Sequence, residues 1–205
     1  MLASRYKSLL NRLIEPVARC VARSGVAPSA ITLATPVLTL LACWWVIRTK
    51  AILPFCVLLL VIGCFDWLDG AVARASGRVT KFGGYLDSVA DRYVEACVAF
   101  AVAWVTGYWA LTVIVLAGSL LVSYTKARAA MEVPVANLEW PDLMERTERA
   151  LLYGAGLVAS ALVSWKPLGR DLFWWTLVVL AALIHATVVQ RVLRAKRFIT
   201  ARSAR

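Results

Sequence analysis

Residues 64–91 read CFDWLDGAVARASGRVTKFGGYLDSVAD, and within this apolar run stand four carboxylates, Asp66, Asp69, Asp87 and Asp91. Carboxylates inside membrane-like sequence are costly and are retained for function. Asp66 and Asp69 are spaced i, i+3, with Gly70, Ala73 and Arg74 on the same helical stripe, and Gly83, Asp87 and Asp91 are spaced by fours on a second helix. If residues 75–82 fold back as a connector, the two stripes face each other and the four carboxylates converge. Arg74 and Arg92 are the obvious internal counter-charges, too few to hold four anions together, so bound divalent ions are the better compensation. An all-oxygen ligand set points to Mg2+ or Mn2+. The competing structural reading makes these residues caps and ion pairs around a turn, with Asp69-Gly70 as a loop signal.

The order Asp66-x-x-Asp69-Gly70-x-x-Ala73-Arg74, eight residues, Gly83, three residues, Asp87, three residues, Asp91 resembles the full signature of the CDP-alcohol phosphotransferases. The resemblance implies that Asp66, Asp69 and Asp87 bind two metal ions. Asp91 would also touch metal and act as the catalytic base, and Thr32, Asp66, Asp69, Gly70, Ala73, Arg74 and Gly83 would line the CDP site. It also implies six transmembrane helices with an N-terminal juxtamembrane helix, usually in a homodimer, over essentially the whole chain.

Composition agrees with a membrane protein on independent grounds. The chain has 205 residues, 61% of them hydrophobic, and its mean hydropathy is +0.72, too apolar for a soluble domain. The formal charge of +11 does not indicate nucleic acid, because the basic residues gather at the ends of apolar segments, where they meet anionic lipid. Cys20, Cys43, Cys56, Cys64 and Cys97 form no Cys-x-x-Cys pair and read as small packing residues. His185, the single histidine, reads as a helix-packing residue.

The expected fold is one all-α integral-membrane domain over residues 1–205. Residues 1–24 interleave Arg5, Lys7, Arg12, Arg19 and Arg23 with Leu9, Leu10, Leu13, Ile14 and Val17, a basic amphipathic helix that lies on the membrane surface. Six spans follow within 30–192: about Ala30 to Ile47, Ala51 to Ala73, Asp87 to Thr106, Tyr108 to Ala130, Ala150 to Trp165 and Leu172 to Val192. All but four of the 23 Lys and Arg (the exceptions are Arg48, Lys50, Lys166 and Arg170) fall on one side of such a six-span chain. By the positive-inside rule both termini and the Asp cluster face the cytoplasm of a plasma-membrane protein. Trp44, Trp45, Trp104, Trp109, Trp165, Trp174 and Trp175 then collect at the opposite interface.

Metal-bound carboxylates call for a substrate rich in anionic oxygen, and a nucleotide-linked diphosphate fits. Gly70 and Gly83 leave room for close approach and Arg74 can fork onto phosphate, although small residues also serve helix packing. A second basic set lies at Ser123, Lys126 and Arg128, at Arg146 and Arg149 within Glu145-Arg-Thr-Glu-Arg149, and at Gln190-Arg191. The simple reading is flanking charge that sets topology. Ser-Tyr-x-Lys-Ala-Arg-Ala and Glu-Arg-x-Glu-Arg also resemble the phosphatidylinositol-phosphate and archaetidylinositol-phosphate synthase branch, where such cations hold the phosphate of inositol 1-phosphate. Thr147 stands where the bacterial branch commonly has proline, so whether Arg146 or Arg149 points inward stays open on sequence grounds. The resemblance implies transfer of a phosphatidyl or archaetidyl group from a CDP-linked lipid to inositol 1-phosphate, with Lys126, Arg149 and Arg191 converging beside Asp91. Glycerol 3-phosphate as acceptor or CDP-inositol as donor would keep the chemistry. A divalent-ion channel would leave Arg74 and the glycines unexplained.

Overall fold

The computed structural model describes residues 15–132 and 143–203. The basic residues Arg5, Lys7 and Arg12 of the expected surface helix lie outside them, as does most of the connector before residue 143. The described chain is helical: α1 over 15–23, then α2 Pro28–Thr49, α3 Ile52–Ala75, α4 Lys81–Thr106, α5 Trp109–Glu132, α6 Arg146–Leu162 and α7 Leu172–Ser203, with one 3-10 turn at Pro167–Gly169. No strand occurs among the described residues.

Four helices, α2, α3, α5 and residues 172–201 of α7, are long and apolar enough to cross a bilayer, yet only 22% to 33% of their most apolar windows is buried inside the protein. Leu33, Val37, Leu40, Leu41 and Leu60 stand outward on α2 and α3. That is the pattern of a chain whose outer solvent is hydrocarbon, and this is a multi-pass membrane protein. The expected fifth span begins earlier, at Arg146, and the sixth continues past Val192 to Ser203. The helix of the expected third span, α4, begins at Lys81 rather than Asp87, because Thr80 caps it: the Thr80 hydroxyl accepts the Gly83 N–H at 2.9 Å. A hydropathy window locates apolar length and is blind to such polar turns.

The chain divides into two compact units, 1–101 and 102–205. In the first, α2 packs along α3, and Ala18 of α1 is buried with Ile31 and Val72, with Val21, Ala22, Leu68 and Ala71 against them. The hydroxyls of Thr35 and Thr39 donate to the carbonyls four residues back, at 3.3 and 2.9 Å. Polar side chains are thus satisfied within their own helix, as an apolar surround requires. At the end of α3 the N–H groups of Ser76, Gly77 and Arg78 reach the carbonyls of Val72, Arg74 and Ala73 at 2.9, 3.3 and 3.0 Å. Gly77 takes φ +67, so the turn closes back on the helix end.

In the second unit α7 packs against both α5 and α6. Phe173, Leu177, Leu180 and Ile184 are fully buried, a 3.6-period stripe. Gly118 allows the close approach of α5, since a Cβ there would meet Ile184 at 2.7 Å and His185 at 3.0 Å. His185 Nε2 lies 3.2 Å from the Ile114 carbonyl, the packing role its sequence position suggests. Gly156 gives way to Thr176 in the same manner. All five cysteines are free thiols; Cys43 is buried, but Cys20 and Cys64 are exposed, so packing explains only part of the set.

Asp171 joins two turns. Its Oδ1 accepts the Trp174 N–H at 2.8 Å, capping α7, and its Oδ2 accepts the Tyr108 hydroxyl at 2.6 Å. Desolvation, and then the bond to Asp171, push the Tyr108 hydroxyl up to about 12. Because the folded value is raised, the bond's stabilisation is complete below about pH 10, the ordinary tyrosine value, and is lost as pH climbs from there through about 12. Tyr108→Phe should therefore flatten the alkaline fall in the unfolding midpoint, and Asp171→Ala should lower stability by about 1–3 kcal/mol through loss of cap and bridge together, both read by thermal unfolding in detergent.

Candidate active site

Asp66 and Asp69 lie in the second half of α3, Asp87 and Asp91 in the first half of α4, so the turn at 76–80 folds one pair back on the other. Asp66, Asp87 and Asp91 each offer one oxygen, and these three atoms all lie within 4.8 Å of one another. Asp91 is buried, and Asp66 and Asp87 are half-buried. At that separation each like-charged pair repels by roughly 3 kcal/mol at an effective dielectric of about 20. Arg92 gives partial relief: its Nη2 is 3.8 Å from Asp91 Oδ2, while its Nη1 pairs with Glu95 at 2.9 Å. That one guanidinium is divided between two carboxylates.

The donor set fits a hard divalent cation. Oxygens placed trans across Mg2+ at about 2.1 Å are about 4.2 Å apart, so carboxylates already within 4.8 Å of each other need only a small movement to share one.

Asp69 is the exception to the expected convergence. It is outside this three-oxygen group, although near enough to feel the charges of Asp87 and Asp66. Its Oδ2 instead accepts the Thr32 hydroxyl of α2 at 2.5 Å, and both residues are buried. Thr32 has one hydrogen to give, and the 3.2 Å approach to the Pro28 carbonyl is the weaker claim on it. A short bond to a carboxylate is the strong kind, and it ties α2 to α3 at the level of the carboxylates. Thr32 was reachable from sequence only through the resemblance, since nothing local marks a threonine 37 residues away as a partner of Asp69.

The Arg74 guanidinium lies back over Gly70, with Nη1 3.4 Å from where a Cβ would stand. Arg74 is exposed, and Ala73 and Gly70 are half-buried. Gly83 has a structural duty beside any binding role: its N–H serves the α4 cap, and a Cβ there would crowd the Thr80 hydroxyl at 3.1 Å. Thr80 and Glu95 are absent from the sequence reading; the first was findable as a cap three residues before Gly83, the second as the i+3 neighbour of Arg92.

The second unit carries the other basic set. Arg149 and Arg191 are buried, whereas Arg146 and Arg128 are exposed. The Glu145 and Glu148 side chains form a reciprocal capping box at the start of α6, which fixes the helix so that Arg149 turns inward. Arg149 Nη1 donates to the Met144 carbonyl at 3.0 Å. Arg191 Nη1 donates to the Val122 carbonyl, one turn before the half-buried Lys126 on α5. Arg128 pairs with Glu132 at 2.6 Å on the surface, and the Ser123 hydroxyl turns to the Ser119 carbonyl at 3.4 Å. The structure therefore separates this set: Arg149 and Arg191 are buried and Lys126 half-buried, whereas Arg128 and Arg146 are exposed.

Residues 25–182 match the model of the CDP-alcohol phosphatidyltransferase family, and the chain belongs to that family. Among curated relatives it is 34% identical over 174 residues to the archaetidylinositol phosphate synthase of Pyrococcus horikoshii, covering 79% of this chain and 90% of the relative. It is 33% identical over 193 residues to the phosphatidylinositol phosphate synthase of Corynebacterium glutamicum, covering 89% and 84%. Its structure resembles that of the phosphatidylinositol phosphate synthase of Mycobacterium tuberculosis with CDP-DAG bound, at a TM-score of 0.79 and 26% identity over 90% of this chain and 94% of that one. The same enzyme in complex with manganese and citrate aligns at a TM-score of 0.78, with 26% identity over 89% of this chain and 88% of the other.

The Thr32 to Asp69 bond makes a stability prediction. Thr32→Val keeps the volume but strips a buried carboxylate of its hydroxyl donor, and should cost about 1.5–3 kcal/mol, whereas Thr32→Ser should recover most of the loss. Chemical unfolding of the two variants in the same detergent measures the difference.

Proposed function

We propose that this chain is a membrane-embedded synthase that moves a phosphatidyl or archaetidyl group from a CDP-linked lipid to inositol 1-phosphate and releases CMP. The observation that carries the reading is the trio Asp66, Asp87 and Asp91, whose oxygens lie within 4.8 Å of one another between two apolar helices. Family membership and relatives named as phosphatidylinositol and archaetidylinositol phosphate synthases support it, as does a manganese-bound structural neighbour.

In this mechanism Asp66, Asp69, Asp87 and Asp91 hold two divalent ions, Mg2+ or Mn2+, which supply charge neutralisation for the donor diphosphate. Gly70, Ala73, Arg74, Gly83 and Thr32 line the CDP site, with the Arg74 fork on phosphate. Asp91 accepts the proton of the acceptor hydroxyl as its oxygen forms the new bond to the lipid-side phosphorus. The phosphorus–oxygen bond to CMP breaks, and CMP carries away the electron pair. Lys126, Arg149 and Arg191 bind the acceptor phosphate, with Ser123, Arg128 and Arg146 at the margin of that role. The acceptor brings about two negative charges toward an anionic site and needs its own cations.

Six spans are part of the reading. Besides the four strongly apolar helices, α4 has 26 residues and α6 has 17, about 39 Å and 25 Å at 1.5 Å per residue. In α4 the charged residues end at Glu95, leaving an apolar run from Ala96 to Thr106. The active site and both termini face the cytoplasm of the plasma membrane, and the enzyme works as a homodimer.

Incubating the purified protein with labelled CDP-diacyl and CDP-diether lipids and a panel of inositol 1-phosphate, inositol and glycerol 3-phosphate tests the assignment by the lipid product formed. Product from inositol 1-phosphate alone supports it; product from glycerol 3-phosphate alone overturns the acceptor and leaves the family chemistry intact. Asp66→Asn and Asp87→Asn should abolish turnover and weaken Mg2+-dependent donor binding, and Asp91→Asn should lower kcat more than donor affinity. Full activity of Asp91→Asn, or of wild type in EDTA, overturns the mechanism.

Loss of one charged hydrogen bond corresponds to about ten- to a hundredfold in affinity. Arg149→Lys and Arg191→Lys should therefore raise KM for inositol 1-phosphate by at least about tenfold while leaving CDP-lipid binding near wild type. The lysine keeps the charge and much of the packing, so a selective KM effect reports on the guanidinium fork rather than on folding.

A further inference from the structure

We propose that the cleft between α1 and the C-terminal end of α3 binds the phosphate of an anionic phospholipid headgroup, which anchors α1 to the membrane surface as a structural lipid site separate from the carboxylates. The cleft holds about 370 Å³ and is lined by Arg19, Ala22, Arg23, Ala75, Ser76 and Arg78. Arg19 and Arg23 are one helical turn apart on α1, Ala22 sits between them, and Arg78 approaches from the turn after α3.

Its donors are almost wholly cationic. The Ser76 hydroxyl is committed to the Val72 carbonyl at 2.8 Å. The backbone N–H groups of Ser76, Gly77 and Arg78 are committed to the end of α3. Those same bonds argue against the plainest structural duty for the arginines, because the carbonyls of Val72, Ala73 and Arg74 are already capped without them. Arg19 is the one whose charge is partly met, by Glu15 at 2.6 Å. No ion pair among the described residues involves Arg23 or Arg78. Two uncompensated guanidinium forks and a third, half-compensated one, facing a cleft large enough for a phosphodiester headgroup, select a phosphate oxyanion.

The cleft is also held open in advance. Ala18, Val21 and Ala22 of α1 pack on Ile31, Leu68, Ala71 and Val72, so ligand binding does not have to order the helix. It is offset from the metal-binding carboxylates: on the continuous helix α3 Ala75 is nine residues beyond Asp66 and six beyond Asp69, about 13 Å and 9 Å along its axis. That puts the arginines at headgroup level when α3 spans the hydrocarbon. The inference rests on the membrane setting of α1 and not on the acceptor of the reaction.

The test uses the full-length protein in nanodiscs of phosphatidylcholine with zero to 30 mol% phosphatidylglycerol, reading the thermal unfolding midpoint and the lipids retained in native mass spectrometry. Wild type should gain stability with phosphatidylglycerol and retain one or two such lipids. Arg23→Gln/Arg78→Gln should lose the increment and weaken lipid retention about 25-fold, since each basic residue near the surface is worth about fivefold. The charge-matched control Lys196→Gln/Arg197→Gln, on the tail of α7, should keep both. An equal loss in the control would reduce the effect to general surface charge and overturn the site. A midpoint shift caused by inorganic phosphate in pure phosphatidylcholine discs would assign the cleft to a soluble anion. Loss of CDP-lipid binding in the arginine variant with lipid retention unchanged would assign it to the donor, and either outcome overturns the proposal.

Discussion

Negative charge inside apolar helices is the constraint on which this protein turns. Three carboxylate oxygens within 4.8 Å of one another repel by several kcal/mol in any low-dielectric setting. A chain that merely needed to cross a bilayer would discard them. Their placement depends on two turns of backbone: the Gly77 closure that ends α3 and the Thr80 cap that starts α4. Those few residues decide that Asp66 meets Asp87 and Asp91, rather than each pair facing lipid alone.

The rest of the polar inventory follows from the same shortage of water. Thr35 and Thr39 return their hydroxyls to their own helix, the Thr32 hydroxyl donates a hydrogen bond to Asp69, and Arg149 and Arg191 each donate to a main-chain carbonyl. A guanidinium has five N–H donors in a fixed fork, so a bond from one of them to a carbonyl fixes the direction of the whole group. Such anchoring makes an arginine usable for recognition in an apolar surround, since a side chain held in one rotamer loses little further entropy when an anion arrives.

The helical elements were largely legible in the sequence because membrane helices are announced by apolar length. Where the reading missed, polarity at helix ends was responsible. α4 starts at Lys81 and not Asp87, and α7 runs to Ser203 and not Val192, because caps and the basic, water-facing ends of helices carry no hydropathy signal. Glu145 and Glu148 were legible only as part of a basic motif; folded, they are a capping box whose effect is the inward turn of Arg149.

The sequence by itself determined the membrane character, the two stripes of paired carboxylates and their resemblance to a family to which the chain belongs. Composition and the i, i+3 and i, i+4 spacings act locally, and no partner is needed to read them. Only the tertiary structure decided which carboxylate oxygens come within 4.8 Å of one another and which arginines are buried. Asp66 and Asp69 are equal by spacing, yet Asp69 is drawn to Thr32 on a neighbouring helix; Arg146 and Arg149 are equal by motif, yet one is exposed and the other buried. Those choices are made by contacts between residues far apart in the chain, where packing and hydrogen-bond reach operate and sequence spacing carries no information.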